Sequence, residues 1–186
     1  MTAEKIITTT QEIDIDVIGI TLLSAEEAED VDKNTRCIDN YWWLRSPGIF
    51  SDHAAVVDDG GDILGDGSIV FVSIGVRPAL IISNLGSYNL RIGDRFVLAG
   101  EQWIVISEYK ALCSRIIAKT PFSADRGASN VNDYEKSGIK TRLNEWAAER
   151  CIEGLGQCGI WEPVITADVG ETRRKAEVLV LKGEQG

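Results

Sequence analysis

The sequence is short of most features that identify a chain at sight. It has one histidine, His53, so a metal centre built from several imidazoles is excluded, as is any Ser-His-Asp scheme not centred on that residue. Its 19 lysines and arginines stand against 29 aspartates and glutamates, for a formal net charge of -10, and no basic cluster is present. Nucleic-acid backbones and anionic membrane surfaces need such clusters, so neither is an expected partner. No apolar run approaches the ~18 residues that cross a bilayer. The opening stretch MTAEKIITTTQEID has neither a positive n-region nor an apolar h-region, and the expected location is the cytoplasm or a virion. A glycine-rich phosphate loop, a nucleophile elbow and a paired-histidine motif are all missing. The four cysteines, Cys37, Cys113, Cys151 and Cys158, are scattered without a disulfide spacing and read as reduced core thiols.

What is present looks globular. A chain of 186 residues with 44% hydrophobic residues and five tryptophans can bury a core without metal or disulfide staples, and a single domain over residues 1–186 is the expectation. The densest segment runs from Tyr41 to Leu80. YWWLRSPG opens it, GVRPAL closes it, and between them lie glycine-rich turns and short apolar runs.

Upstream, IDIDVIGITLL alternates with a change of phase near Val17 and Ile18, as a strand with a bulge or break would. Ser24 and Glu27 match a capping box, which predicts a short helix directly after it. Residues 31–40 read as a polar loop, HAAVV as a strand, and Asp59 and Gly60 as a hairpin turn, with a second turn at Gly65 to Gly67. From Arg91 the spacing predicts a three-strand meander: RFVL, a tight AGEQ connection, WIVIS, a turn at Glu108 to Lys110, and ALCSRIIA. A long polar loop follows. Ser137 then stands as N-cap for a helix carrying Ile139, Leu143, Trp146 and Ala147 on one face, ended by Gly154 and Gly156. Offset by 158 positions, Ile165, Thr166, Val178, Val180 and Leu181 faintly echo the first strand, with chance as the rival reading.

YWWLRSPG, AAVVDDGG and GVRPALII together resemble the signature of a bacterial and phage domain family of unknown function, itself related to the C-type-lectin fold. GITLLSAEEA resembles that family's segment just before the tryptophans, IGDRFVLAGEQWIVISEYKALCSRI its opening hairpins, and SGIKTRLNEWAAER its first helix. In the family the hairpins come first, so the resemblance implies a circular permutation: residues 1–82 are the usual closing half, 83–91 a linker, and 92–186 the usual opening half with a C-terminal strand. Exchange of halves between two copies, giving a swapped homodimer, is the alternative. The resemblance implies an α+β, C-type-lectin-like fold: a twisted antiparallel sheet, two helices and a large irregular lobe. The same class holds formylglycine-generating enzymes and retroelement variable proteins, whose closing strand carries a tripeptide like Gly75, Val76 and Arg77.

Each conspicuous residue has a plain reading beside the functional one. Trp42 and Trp43 leave a strand on opposite faces, so one packs inward, and sugar stacking competes with packing for the other. Arg45 and Arg77, beside Pro47 and Pro78, could hold an anion but more simply fasten loop carbonyls or carboxylates; with Trp42, Trp43, Trp103 and Trp146 they are read as structural anchors. Asp52 next to His53 is no triad. Asp58, Asp59, Asp62 and Asp66 suggest calcium weakly, since they miss the twelve-residue loop and turns explain them. Glu162, Pro163 and Val164 lack the third oxygen of a lectin calcium motif, and Cys151 and Cys158 lack zinc spacing. No catalytic residue, metal or other cofactor is therefore assigned.

The function expected is non-enzymatic recognition of a protein or glycan, as a phage- or prophage-encoded structural or display module, with Phe50, Asp52, His53, Leu64 and Asp66 as contact residues. An enzyme of the formylglycine-generating type and a self-assembling subunit are the alternatives.

Overall fold

The computed structural model describes residues 8–126, 131–150, 152 and 174–181. Its contacts divide the chain into two compact units, Met1–Gly19 with Leu80–Ser114 and Arg150–Gly186, and Ile20–Ala79 with Arg115–Glu149. The class is α+β. Instead of the one antiparallel sheet expected there are two sheets, the second of which contains a parallel pair.

The first unit is built on a seven-stranded sheet. Its members are β1 (Thr8–Ile15), β2 (Val17–Thr21), β7 (Ala79–Ile82), β8 (Arg95–Leu98), β9 (Glu101–Ser107), β10 (Lys110–Cys113) and β12 (Arg174–Leu181), in the order β1-β12-β8-β9-β10-β7-β2. The phase change read in IDIDVIGITLL is a break at Asp16, whose N–H donates to Asn84 Oδ1 at 2.8 Å. The AGEQ connection is a two-residue turn in which Ala99 and Gly100 have φ of 53° and 77°, the left-handed pair that matches strand twist in a hairpin. It sets Phe96 opposite Trp103, both wholly buried, and Trp103 Nε1 donates to the Leu98 carbonyl at 3.2 Å.

The second unit holds the sheet β11-β6-β3-β4-β5, formed by β3 (Trp42–Pro47), β4 (His53–Val57), β5 (Ile63–Ile69), β6 (Ile74–Val76) and β11 (Ala118–Thr120). The helices are α1 (Ala25–Glu29), α2 (Lys33–Arg36) and α3 (Gly138–Glu149). The capping box is realised: Glu27 N–H donates to Ser24 Oγ at 3.0 Å and Ser24 N–H to Glu27 Oε2 at 2.8 Å. Ser137 Oγ accepts from Lys140 N–H at 3.2 Å, which starts α3, and Ile139, Leu143 and Ala147 form its buried stripe.

Three local expectations fail. Residues 31–40 contain α2, because Asp32 caps it through Asn34 N–H at 2.9 Å and Arg36 closes it onto the carbonyls of Ala28 and Val31. Gly65 to Gly67 is no turn but the middle of β5, bulged opposite Ala55. Gly67 allows this with φ of 81°, where a Cβ would meet the Ala54 carbonyl oxygen at 2.4 Å. ALCSRIIA is not one strand: it splits into β10 and β11, which lie in different sheets. The expectations placed on Cys151, Gly154, Gly156, Cys158, Glu162, Pro163, Val164, Ile165 and Thr166 fall outside the described residues.

Trp43 is wholly buried, with its ring edge-on to Phe122 at 5.5 Å and Nε1 donating to the Thr120 carbonyl at 3.0 Å. Trp43→Ala is expected to cost about 3–5 kcal/mol, read as a fall in the midpoint of urea unfolding followed by circular dichroism; a loss under about 1 kcal/mol would contradict this packing.

Candidate functional site

The site grows from the end of β3 in the second unit. Arg45 N–H donates to the Leu23 carbonyl at 2.8 Å, and Ser46 Oγ accepts from Ala25 N–H at 2.9 Å, so the Arg-Ser-Pro corner is sewn to the start of α1. Glu27 serves twice. It completes the capping box, and its carboxylate takes the Arg45 guanidinium in a two-point pair, with Nη2 to Oε1 at 3.1 Å and a shorter Nη1 to Oε2 contact. Arg45 Nη1 also donates to the Leu22 carbonyl at 2.9 Å. Its charge is thus spent inside the fold.

Arg77 is likewise internal. It is wholly buried, its guanidinium lies 5.1 Å from the Trp42 ring centroid, and Nη1 donates to the carbonyls of Thr35 at 2.8 Å and Arg36 at 3.3 Å. Trp42 Nε1 donates to the Arg36 carbonyl at 3.2 Å. Both tryptophans of the pair are at 0% exposure, so neither offers a stacking face for a sugar. Pro78 is buried and Pro47 is exposed. Trp103 belongs to the first unit's core, whereas Trp146, half-buried on α3, lines a cavity of about 130 Å³ with Val76, Ile117 and Leu143.

Beyond Pro47 the chain turns through residues 48–53. Gly48 fits there because a side chain would meet the Asp66 carbonyl oxygen at 2.4 Å and His53 Cβ at 2.7 Å. Ile49 N–H donates to the Asp66 carbonyl at 3.3 Å, Gly48 N–H to the His53 carbonyl at 2.7 Å, and His53 N–H to the Phe50 carbonyl at 3.0 Å. Asn132 closes the turn from outside, donating through Nδ2 to the carbonyls of Phe50 at 3.1 Å and His53 at 2.9 Å. Next to it, residues 45–47 and 132–135 border an open groove of about 550 Å³.

Four of the five contact candidates come together. The rings of Phe50 and His53 meet edge-on at 5.0 Å, His53 Nδ1 pairs with Asp52 Oδ1 at 2.8 Å, and Asp66 is joined through Ile49. Leu64 lies further along β5, opposite Val56. Ile69 faces His53 across the strands, so its side chain shares the Phe50 and His53 face. Of nine large hydrophobic side chains exposed among the described residues, five are Ile49, Phe50, Leu64, Ile69 and Val72. Sequence reasoning missed Ile49, Ile69 and Asn132. Two successive apolar residues in a turn after Pro-Gly were the available signal for Ile49; nothing local marks Asn132.

Among the described residues no group of three or more His, Cys, Asp or Glu side chains is placed to hold a metal. The aspartates considered for calcium are dispersed: Asp58 Oδ1 accepts from Asp62 N–H at 2.8 Å, Asp62 pairs with Lys33 at 2.6 Å, and Asp66 is exposed on β5. Cys37 is a half-buried thiol that donates to the Asp59 carbonyl at 3.2 Å, and Cys113 is buried in the first unit; neither forms a disulfide among the described residues. No helix among the described residues is long and apolar enough to cross a membrane.

The profile of a domain of unknown function, DUF6273, matches residues 16–84, which contain the whole Tyr41 to Leu80 segment and the turn just described. No curated protein and no solved structure matches the chain.

Two outcomes test this geometry. Asn132→Ala removes both bonds to the turn and is expected to cost about 1–2 kcal/mol, with faster amide exchange confined to residues 48–53. Tyr134 is buried, its hydroxyl approaching Thr21 and Leu22 without a well-formed hydrogen bond. Burial raises its pKa above the ordinary value of 10.0, partly countered by Thr21 and Leu22. The folded state therefore holds this proton more tightly than the unfolded chain. That stabilisation is complete below the unfolded value and is lost as pH rises through the folded one. Tyr134→Phe should flatten the alkaline fall in unfolding free energy relative to the unsubstituted protein; parallel curves above pH ~10 would contradict the burial.

Proposed function

We propose that the chain is a non-enzymatic recognition module and that it binds a protein or glycan through the surface around Phe50, Asp52, His53, Asp66 and Ile69. The observation that carries this reading is the contrast within one segment. Trp42, Trp43, Arg45 and Arg77 are committed to internal partners, while the turn between β3 and β4 exposes Ile49 at 63% and Phe50 at 57%. Exposed apolar side chains clustered on a fixed turn mark interaction surfaces more often than scattered ones do.

The finer elements of the reading rest on resemblance. The tryptophan segment and Gly75 to Arg77 support a C-type-lectin-like relationship, and with it a circularly permuted chain, a phage or prophage origin and a role in a structural or display assembly, in the cytoplasm or on a virion. In such a fold the irregular lobe recognises and the sheet supports. In the second unit the expected lobe segment instead forms strands β3 to β6, and only the turn over 48–53 and the short connections are irregular, so the recognition reading rests on that turn.

A glycan and protein array probed with the pure protein, and with a Phe50→Ser, Ile69→Ser variant, tests the proposal. Binding that falls at least about tenfold in the variant, at unchanged circular dichroism, supports it. Failure to bind any array member, or binding indifferent to the substitutions, would overturn it.

A further inference from the structure

Between Arg45 and Arg77 the sequence runs for thirty-one residues, 46–76, without a lysine or arginine, yet includes five aspartates. That stretch forms the whole exposed turn and the edge strand. We infer that the surface takes a cationic partner: a basic peptide segment carrying an apolar anchor side chain, supplied by another protein. This rests on the recognition reading above and adds the chemistry of the ligand.

The apolar part is defined by contacts. Phe50 stands against His53, His53 faces Ile69 across the strands, and Val72, exposed like Phe50 and Ile69, follows on the turn closed by its N–H to the Ile69 carbonyl at 3.2 Å. Carboxylates stand beside these residues. Asp52 is half-exposed and pairs with His53, and Asp66 is exposed with no ion-pair partner among the described residues. On α1, which lies near β5, Glu26 and Glu29 are also exposed. Of the nearby cations Lys33 is paired with Asp62 and Arg45 with Glu27, while the exposed Arg126 guanidinium lies over the Phe71 ring at 5.1 Å and keeps its charge. A basic segment would meet Asp66 without breaking an ion pair seen among the described residues, and would share Asp52 with His53.

A second copy of the chain is the wrong occupant. It would bring its own Asp52 and Asp66 and a net charge of -10, so two such surfaces repel at moderate ionic strength. Backbone pairing along β5 is also obstructed. The strand bulges at 65–67 and its Asp66 carbonyl is taken by Ile49, devices that blunt an edge against strand addition. Recognition therefore falls to side chains.

The test is an array of short synthetic peptides, each with one Leu or Phe flanked by Lys and Arg, by Ser and Gly, or by Asp and Glu. It is probed with the full chain, with Asp52→Asn, Asp66→Asn, and with Phe50→Ser, Ile69→Ser. The inference expects the basic set to bind, its affinity to fall roughly three- to tenfold in the double-Asn variant and with added salt, and at least about tenfold in the apolar variant. Equal or stronger binding by the neutral or acidic peptides overturns it. So does concentration-dependent self-association abolished by Phe50→Ser, Ile69→Ser, which would make the occupant a second copy. If the glycan and protein array yields a ligand lost in the apolar variant while no basic peptide binds, the recognition reading survives and this inference fails. If neither yields binding, both fail.

Discussion

Adjacent tryptophans on one strand impose a condition that the rest of the second unit meets. Successive side chains on a strand leave from opposite faces, so Trp42 and Trp43 cannot share one core. Each large ring must be covered from its own side and must find an acceptor for its indole N–H. Trp42 is met by the Arg36 carbonyl and the Arg77 guanidinium, and Trp43 by Thr120 and Phe122. The first set lies within sixty residues of one another in sequence, whereas the second comes from the returning segment after Arg115. Without that segment one face of β3 would be bare, which is why the unit is assembled from two stretches of chain.

The arginines solve the complementary problem. A lobe with short helices and irregular connections leaves many carbonyls without ladder partners, and buried carbonyls must be paired. Arg36 reaches Ala28, Val31 and Gly61, Arg77 reaches Thr35 and Arg36, and Arg45 reaches Leu22. One guanidinium can hold several carbonyls because its donors fan out in a plane, which a lysine cannot imitate. Arg77, the buried one of the three, spends Nη1 on two carbonyls and its face on Trp42, and Arg45 spends its charge on Glu27. The reading of Arg45 and Arg77 as anion sites loses its footing on those contacts.

The sequence was informative wherever a local rule decided the outcome. The capping box at Ser24, the N-cap at Ser137, the hairpin at Ala99 and Gly100, and the strand HAAVV follow from neighbours in sequence. It misled where tertiary pairing overrode a local signal: Gly65 and Gly67 look like a turn, yet they lie in a bulge of β5 where Gly67 presses on Ala54 of β4 and Asp66 on Gly48 of the neighbouring turn. It was silent where a partner arrives from far away, since no nearby residue tells that Asn132 fastens a turn about eighty positions earlier. The site was legible to the same degree. Phe50, Asp52 and His53 stand out by type within five residues and do meet, Asp66 reaches them from β5 through Ile49, and Ile69 joins only through strand register.

The exposure of Phe50 is meaningful because the turn that presents it is so constrained. A surface phenylalanine on a loose loop would lose conformational freedom on binding, and that loss would offset much of the contact energy. Here Gly48 is pressed against Asp66 and His53, three backbone bonds close residues 48–53, and Asn132 adds two more from outside. Most of the ordering cost is met when the protein folds. Such a turn could have been stabilised equally well by a small polar residue in place of Phe50, because no bond that holds it uses the phenyl ring beyond its edge contact with His53. The ring is therefore surplus to the turn, a large apolar group held rigidly in solvent near Asp52 and Asp66, and on that excess the recognition proposal rests.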